Sequence, residues 1–195
     1  YKSKLTSDSQ QFEKYLETIN RQIKDIEKLV NEFSNFARMP RPILKKVNIK
    51  NLINQSLDFV KISSKNKINF TIKTKYHFIL GDEDQLNRVF MNLIKNSEES
   101  FLEKFKKNPN FKGNIDIEIS DNNDYIVCRI IDNGPGITDT KKVMTPYFTT
   151  KKTGTGLGLP IVNKIINEHS GNFLIKNKSK GEGTLIKILL PKFNA

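Results

Sequence analysis

The longest regular pattern in the chain lies near its start. Phe12, Leu16, Ile19, Ile23, Ile26, Val30, Phe33 and Ala37 alternate spacings of four and three without a break, and Tyr15, Gln22, Leu29 and Phe36 flank that seam every seventh residue. This heptad signature predicts one amphipathic helix over residues 7–38. Its apolar seam is too wide for a lone helix to shield from water, so a bundle or coiled coil is expected. Met39-Pro40-Arg41-Pro42 ends it, because a pyrrolidine ring removes an amide donor and crowds the preceding turn.

Beyond the prolines the period changes repeatedly. Val47-Asn48-Ile49 reads as a short strand, and a helix over 49–62 follows with Leu52, Ile53, Leu57 and Val60 inward. Strands are expected near 68–75 and 77–80. Asp82, with Gln85 three residues on, makes a capping-box start for a helix over 83–106. Ile115, Ile117 and Ile119 alternate as a strand, Asp121-Asn122-Asn123-Asp124 turns, and 125–131 returns into Asp132. Leu159, Ile161, Val162, Ile165 and Ile166 follow a helical period up to a stop at Gly171, and strands over 173–177 and 184–190 complete the sheet. The expected fold is an α/β (α+β) two-layer sandwich, a mixed sheet with helices on one face, preceded by the long helix. Its parts are a bundle helix (1–39), a linker (40–46) and a main domain (47–195).

Between the 125–131 strand and the helix that begins near Leu159 lie two glycine clusters. Asp132-Asn133-Gly134-Pro135-Gly136 follows a strand, which holds the Asp132 carboxylate at a rigid strand end where it can accept a hydrogen bond from an amine such as that of adenine. Gly154-Thr155-Gly156-Leu157-Gly158 opens a helix, where close-approaching backbone and free amides suit a phosphate. Either cluster alone reads equally well as an ordinary turn. A third element changes the weight: Arg88, Asn92, Asn96, Glu99 and Glu103, at spacings of four, four, three and four, form one ridge of the 83–106 helix. Two asparagines a turn apart offer neutral oxygens to a hard cation such as Mg²⁺.

With these motifs together, residues 47–191 resemble the GHKL ATP-binding fold shared by gyrase, the heat-shock chaperone, mismatch-repair ATPases and sensor histidine kinases. Asn92-Leu93-Ile94-Lys95-Asn96 resembles its N box, Asp132 to Gly136 its first glycine box, Pro146-Tyr147-Phe148-Thr149-Thr150-Lys151 its F box, Gly154 to Gly158 its second glycine box and Gly181-Glu182-Gly183-Thr184 the last. The hydrolysing members carry a glutamate at the position of Asn92 to activate water, which an amide cannot do; histidine kinases carry asparagine. Asn96-Ser97-Glu98-Glu99-Ser100 and the lid ending in Gly154 to Leu159 look most like nitrogen-regulation sensor kinases.

The resemblance implies ATP and Mg as cofactors, with Asn92 and Asn96 catalytic and Asn96 the principal Mg²⁺ ligand. It implies ATP binding by Asn92, Lys95, Asn96, Asp132, Gly134, Gly136, Ile137, Tyr147, Phe148, Thr149, Lys151, Gly154, Thr155, Gly156, Leu157, Gly158 and Thr184. The lid, 138–153, is expected to order around ATP, with Lys151 on the γ-phosphate and Lys141, Lys142 and Lys152 plain surface. The implied reaction is γ-phosphoryl transfer to a histidine and onward to an aspartate of a response-regulator receiver domain, in a homodimer formed through the N-terminal helix, which corresponds to the second helix of the dimerisation and phosphotransfer bundle; the first, with the acceptor histidine, is not in this sequence. Of the two histidines, His77 sits in a strand pattern and His169 beside Gly171, so neither is expected to be the phosphoacceptor. The alternatives are a GHKL ATPase-type conformational machine, a non-catalytic dimerisation or regulatory module that keeps the nucleotide fold, and a serine kinase of the anti-sigma-factor type.

Composition narrows the remaining classes. The net charge of +12 is the balance of 33 Lys and Arg against 21 Asp and Glu, and the basic residues are spread through every segment without a nucleic-acid-binding module, so no nucleic acid partner is expected. No apolar run reaches bilayer length. A single cysteine, Cys128 in a strand, excludes a disulfide framework and reads as a buried inert thiol. Tyr1 is not a natural start, so the chain is expected to be a fragment of a longer protein; the resemblance implies the cytoplasmic domain of an inner-membrane sensor, reaching the membrane only through upstream segments.

Overall fold

Helix α1 spans Lys2–Ala37 and begins earlier than the pattern suggested, because neither proline nor glycine interrupts the residues before Ser7. The computed structural model describes residues 2–62, 64–151, 154–178 and 182–193; Tyr1, Lys152 and Thr153 of the expected lid, and Gly181 of the last glycine motif, lie outside the described residues. After α1 come β1 (Lys45–Asn48), α2 (Ile49–Lys61), β2 (Lys67–Ile72), β3 (Phe78–Gly81) and α3 (Glu83–Lys107). β4 (Asn114–Asp121), β5 (Tyr125–Asp132), α4 (Gly158–Glu168), β6 (Asn172–Asn177) and β7 (Thr184–Pro191) complete the chain.

Five strands form one mixed sheet in the order β2-β4-β5-β7-β6, parallel between β2 and β4 and antiparallel elsewhere. β1 and β3 do not extend it. They satisfy each other's backbone groups in a separate antiparallel ribbon, joined to the end of β7 by one bridge between Ile79 and Lys192. β1 also starts at Lys45, inside the expected linker.

Alternation along β4 and β7 puts Ile115, Ile117, Ile119, Ile186, Ile188 and Leu190 under the helices, where they join Leu86, Phe90, Leu93, Phe101, Ile161 and Ile165 in one core. The other face is mixed: Val127 of β5 is buried there beside Leu189 of β7, while Glu118 of β4 pairs with Lys73 and, at 2.7 Å, with Arg129 of β5. Cys128 is fully buried, which pushes its thiol up to about 12. Alkylating reagents at about pH 8 should therefore leave Cys128 unlabelled in the folded chain and modify it fully in denaturant, as read by intact-mass spectrometry.

The start of α3 is built from distant parts of the chain. Asp82 caps it, accepting from the Gln85 amide at 3.1 Å and from the Ile43 amide at 2.9 Å. The reciprocal arm of the expected capping box is absent: Gln85 Nε2 donates instead to the Pro40 carbonyl at 3.0 Å. The Asp82 amide donates to His169 Nε2 at 2.9 Å, while His169 Nδ1 lies 2.8 Å from the Ile165 carbonyl. His169 is thus a buried strut between the end of α4 and the start of α3.

Burial works to raise the Asp82 carboxyl, but the Ile43 and Gln85 amides outweigh it and hold it below the ordinary aspartate range. A depressed carboxyl stabilises the fold above its unfolded value and loses that contribution as pH falls through the folded one. Asp82→Ala should cost about 1–2 kcal/mol near pH 7, and its deficit against the parent should shrink toward about pH 3, measured by urea midpoints.

At the far end of α4 the left-handed residue is Ser170 (φ 55), not Gly171 as the sequence suggested. Ser170 and Gly171 donate to the Asn167 and Ile166 carbonyls at 3.0 and 2.9 Å, closing the last turn in a Schellman arrangement.

Candidate nucleotide site

β5 ends on Asp132, whose side chain is only 5% exposed. Its Oδ1 accepts from the Gly134 amide at 2.9 Å and the Thr184 amide at 3.1 Å, and its Oδ2 accepts from Ser97 Oγ at 3.3 Å. The carboxylate is therefore fixed by β5, β7 and α3 together, and Oδ2 retains acceptor capacity for an amine. Gly183 makes this packing possible: its φ is +94, and a side chain there would press into the Asp132 carbonyl oxygen.

One residue before Ser97 on α3 stands Asn96. Lys151 Nζ donates to Asn96 Oδ1 at 3.2 Å and to Glu99 Oε2 at 2.6 Å, so a cation already rests between an amide oxygen and a carboxylate. Lys95, more exposed, reaches Glu99 Oε1 at 3.9 Å. Asn92 lies a turn earlier, half-buried. These hard oxygens fit a small divalent ion that takes few protein ligands and shares the rest with phosphates and water. Among the described residues there is no cluster of three or more His, Cys, Asp or Glu to hold a metal unaided.

Across from Asn96 the glycine run opens α4. A Cβ on Gly158 would lie 3.6 Å from Asn96 Nδ2, and Leu157 is fully buried beneath the turn. Gly156 (φ +71) passes so close to the lid that a Cβ would come within 2.5 Å of the Tyr147 carbonyl carbon. Tyr147 is itself left-handed (φ 68) and donates to the Gly156 carbonyl at 3.2 Å. The glycine run and the aromatic motif thus form one knot. Phe148 donates to the Thr145 carbonyl at 3.2 Å, and Thr149 Oγ1 accepts from the Lys151 amide at 3.1 Å. In the lid, Asp139 ties down the chain ahead of a short 3₁₀ turn, Lys142–Met144, by accepting from the Lys141 and Lys142 amides at 3.0 Å each.

The residues singled out in the sequence therefore gather in two groups, Asp132, Gly134 and Thr184 at one end and Asn96, Lys151 and Gly158 at the other, linked by adjacent residues of α3. Ile137 is tied to β6, exchanging two 2.7 Å hydrogen bonds with the Asn177 side chain. The Tyr147 ring faces Phe33 of α1, with centroids 6.1 Å apart. Sequence reasoning missed Ser97, although a hydroxyl among Leu93, Ile94 and Phe101 on the buried face of α3 was a usable signal. It also missed Glu32 of α1, which accepts from the Thr155 hydroxyl. A separate hollow of about 390 Å³, lined by Lys104, Lys107, Asn108, Phe111, Asn133 and Glu182, does not include Asp132 or Asn96.

This arrangement agrees with what the chain is similar to. Residues 81–194 match the family described as histidine kinase-, DNA gyrase B-, and HSP90-like ATPase. Nitrogen regulation protein NtrY of Azorhizobium caulinodans is 30% identical over 188 residues, covering 95% of this chain and 24% of that protein. A putative sensor histidine kinase NtrY-like of Rickettsia felis is 33% identical, covering 93% of this chain and 30% of that protein. The chain thus spans about a quarter to a third of the length of these relatives. Among solved structures, the catalytic domain of histidine kinase ThkA aligns with TM-score 0.62 at 28% identity, over 76% of this chain and 95% of that one. Full-length ShkA, in complex with AMPPNP, aligns with TM-score 0.72 at 21% identity, over 91% of this chain and 38% of that one, a likeness of fold alone. The chain belongs to the histidine kinase-, DNA gyrase B-, and HSP90-like ATPase family, and its ATP-binding domain is of the sensor histidine kinase type.

Proposed function

We propose that this chain carries the ATP-binding half of histidine phosphotransfer, delivering the γ-phosphoryl group of ATP to an imidazole supplied by a bundle helix outside these residues. The observation that carries the reading is the convergence on α3: Ser97 holds Asp132 for the adenine amine, and its neighbour Asn96 faces the glycine run that would take the phosphates. When bound, Mg²⁺ neutralises phosphate charge; Asn96 and Glu99 are the residues that would hold it. The remaining work is positioning and electrostatics, by the amides of the glycine run and by Lys151. With an amide at Asn92 the chain offers no carboxylate there to activate water, which favours transfer over hydrolysis.

Helix α1 supports dimerisation through a bundle, since Phe12 and Ile26 are each 61% exposed on one seam. His169, buried with both ring nitrogens engaged, is a poor acceptor. We assign the next step to an aspartate of a response-regulator receiver domain and the location to the cytoplasm; no helix among the described residues is long and apolar enough to cross a membrane. The test extends the chain upstream through the preceding helix, supplies γ-labelled ATP, and looks for an acid-labile, base-stable phosphohistidine. Label on serine, or release of free phosphate alone, would overturn the assignment.

A further inference from the structure

The last turns of α1 meet the glycine run and the lid at three points. Glu32 accepts from the Thr155 hydroxyl, Phe33 packs on Tyr147, and the Phe36 carbonyl accepts from Lys164 of α4 at 3.3 Å, with the Lys164 amine 5.3 Å from the Phe36 ring centroid. Glu32 thus sets a carboxylate on the segment whose chemistry suits phosphate. At the other side of the same segment, Lys151 sets an ammonium on Asn96 Oδ1 and Glu99 Oε2, the oxygens that suit a divalent ion. The ligand's two kinds of charge, a cation and an anion, are each matched by a side chain of the protein.

We propose that the chain is its own competitor for magnesium nucleotide: Lys151 holds the cation seat and Glu32 the anion seat, so that ligand uptake and release of α1 from the lid are linked. The proposal rests on the nucleotide reading of the site. One pair of oxygens does not serve an ammonium and a metal ion together, and a hydroxyl bound to a carboxylate is not free for a phosphate oxygen. The apparent affinity is then the intrinsic one reduced by the fraction of molecules with both contacts released. Linkage is reciprocal, so any partner that draws α1 away from Thr155 and Tyr147 raises nucleotide affinity by the factor with which nucleotide favours that withdrawal.

Calorimetric titration of Mg·ADP into the 195-residue chain, Glu32→Ala and Lys151→Met tests this. ADP is chosen because it lacks the γ-phosphate, so loss of a Lys151 contact to that group does not enter. Each variant should bind about threefold to tenfold more tightly than the parent, and amide hydrogen exchange over 138–151 without nucleotide should quicken in both. Unchanged or weaker binding in either variant overturns the proposal and leaves the nucleotide reading standing. No uptake by the parent or by either variant overturns the nucleotide reading, and the proposal with it.

Discussion

Asp132→Asn should weaken Mg·ADP binding by about a hundredfold while changing folding stability by less than about 1 kcal/mol. The reasoning follows the proton on each neighbour. Oδ1 receives two backbone amides, from Gly134 and Thr184, and an asparagine oxygen placed there would receive both. The amide nitrogen would then take the place of Oδ2, facing Ser97, whose hydroxyl oxygen can turn from donor to acceptor. The fold keeps its hydrogen bonds, but the remaining acceptor for the adenine amine becomes a donor, and two donors repel. Calorimetry beside a denaturant titration separates the two effects. Equal nucleotide binding by parent and variant would remove Asp132 from recognition.

Gly183→Ala should act in the opposite manner, costing about 3 kcal/mol or more in stability and losing nucleotide binding as a consequence. A φ of +94 is strained for any residue with a Cβ, and that Cβ would push against the Asp132 carbonyl group, whose carbon lies 3.0 Å from its ideal position. Relief requires the turn before β7 to retreat, which carries the Thr184 amide off the Asp132 carboxylate. A thermal midpoint lowered by several degrees checks it. An alanine variant as stable as the parent would mean that the turn has room the packing does not suggest.

These two positions also illustrate what a reader of the sequence can and cannot see. The heptad seam of α1, the alternation of Ile115, Ile117 and Ile119, and Asp82 as a cap are local patterns, and local patterns survive folding. The pairing of β1 with β3 is different, because two strands of four residues carry no mark of which edge each will join. The same holds for Gln85, whose local partner was outbid by a carbonyl 45 positions earlier in sequence, and for His169, which caps a helix 87 residues before it. In the site, Asp132 and Asn96 were legible because motif spacing fixes them. The bond of Lys151 to Glu99 was not, since it depends on where a lid of sixteen expected residues comes to rest across α3.

The segment after α1 has a mechanical consequence. The Pro40 carbonyl and the Ile43 amide are both fastened to the first turn of α3, through Gln85 and Asp82. A twist applied to the long helix therefore meets no slack tether at the prolines; torque passes through a two-point clamp into the rod that bears Asn96, so the transmission between them is stiff.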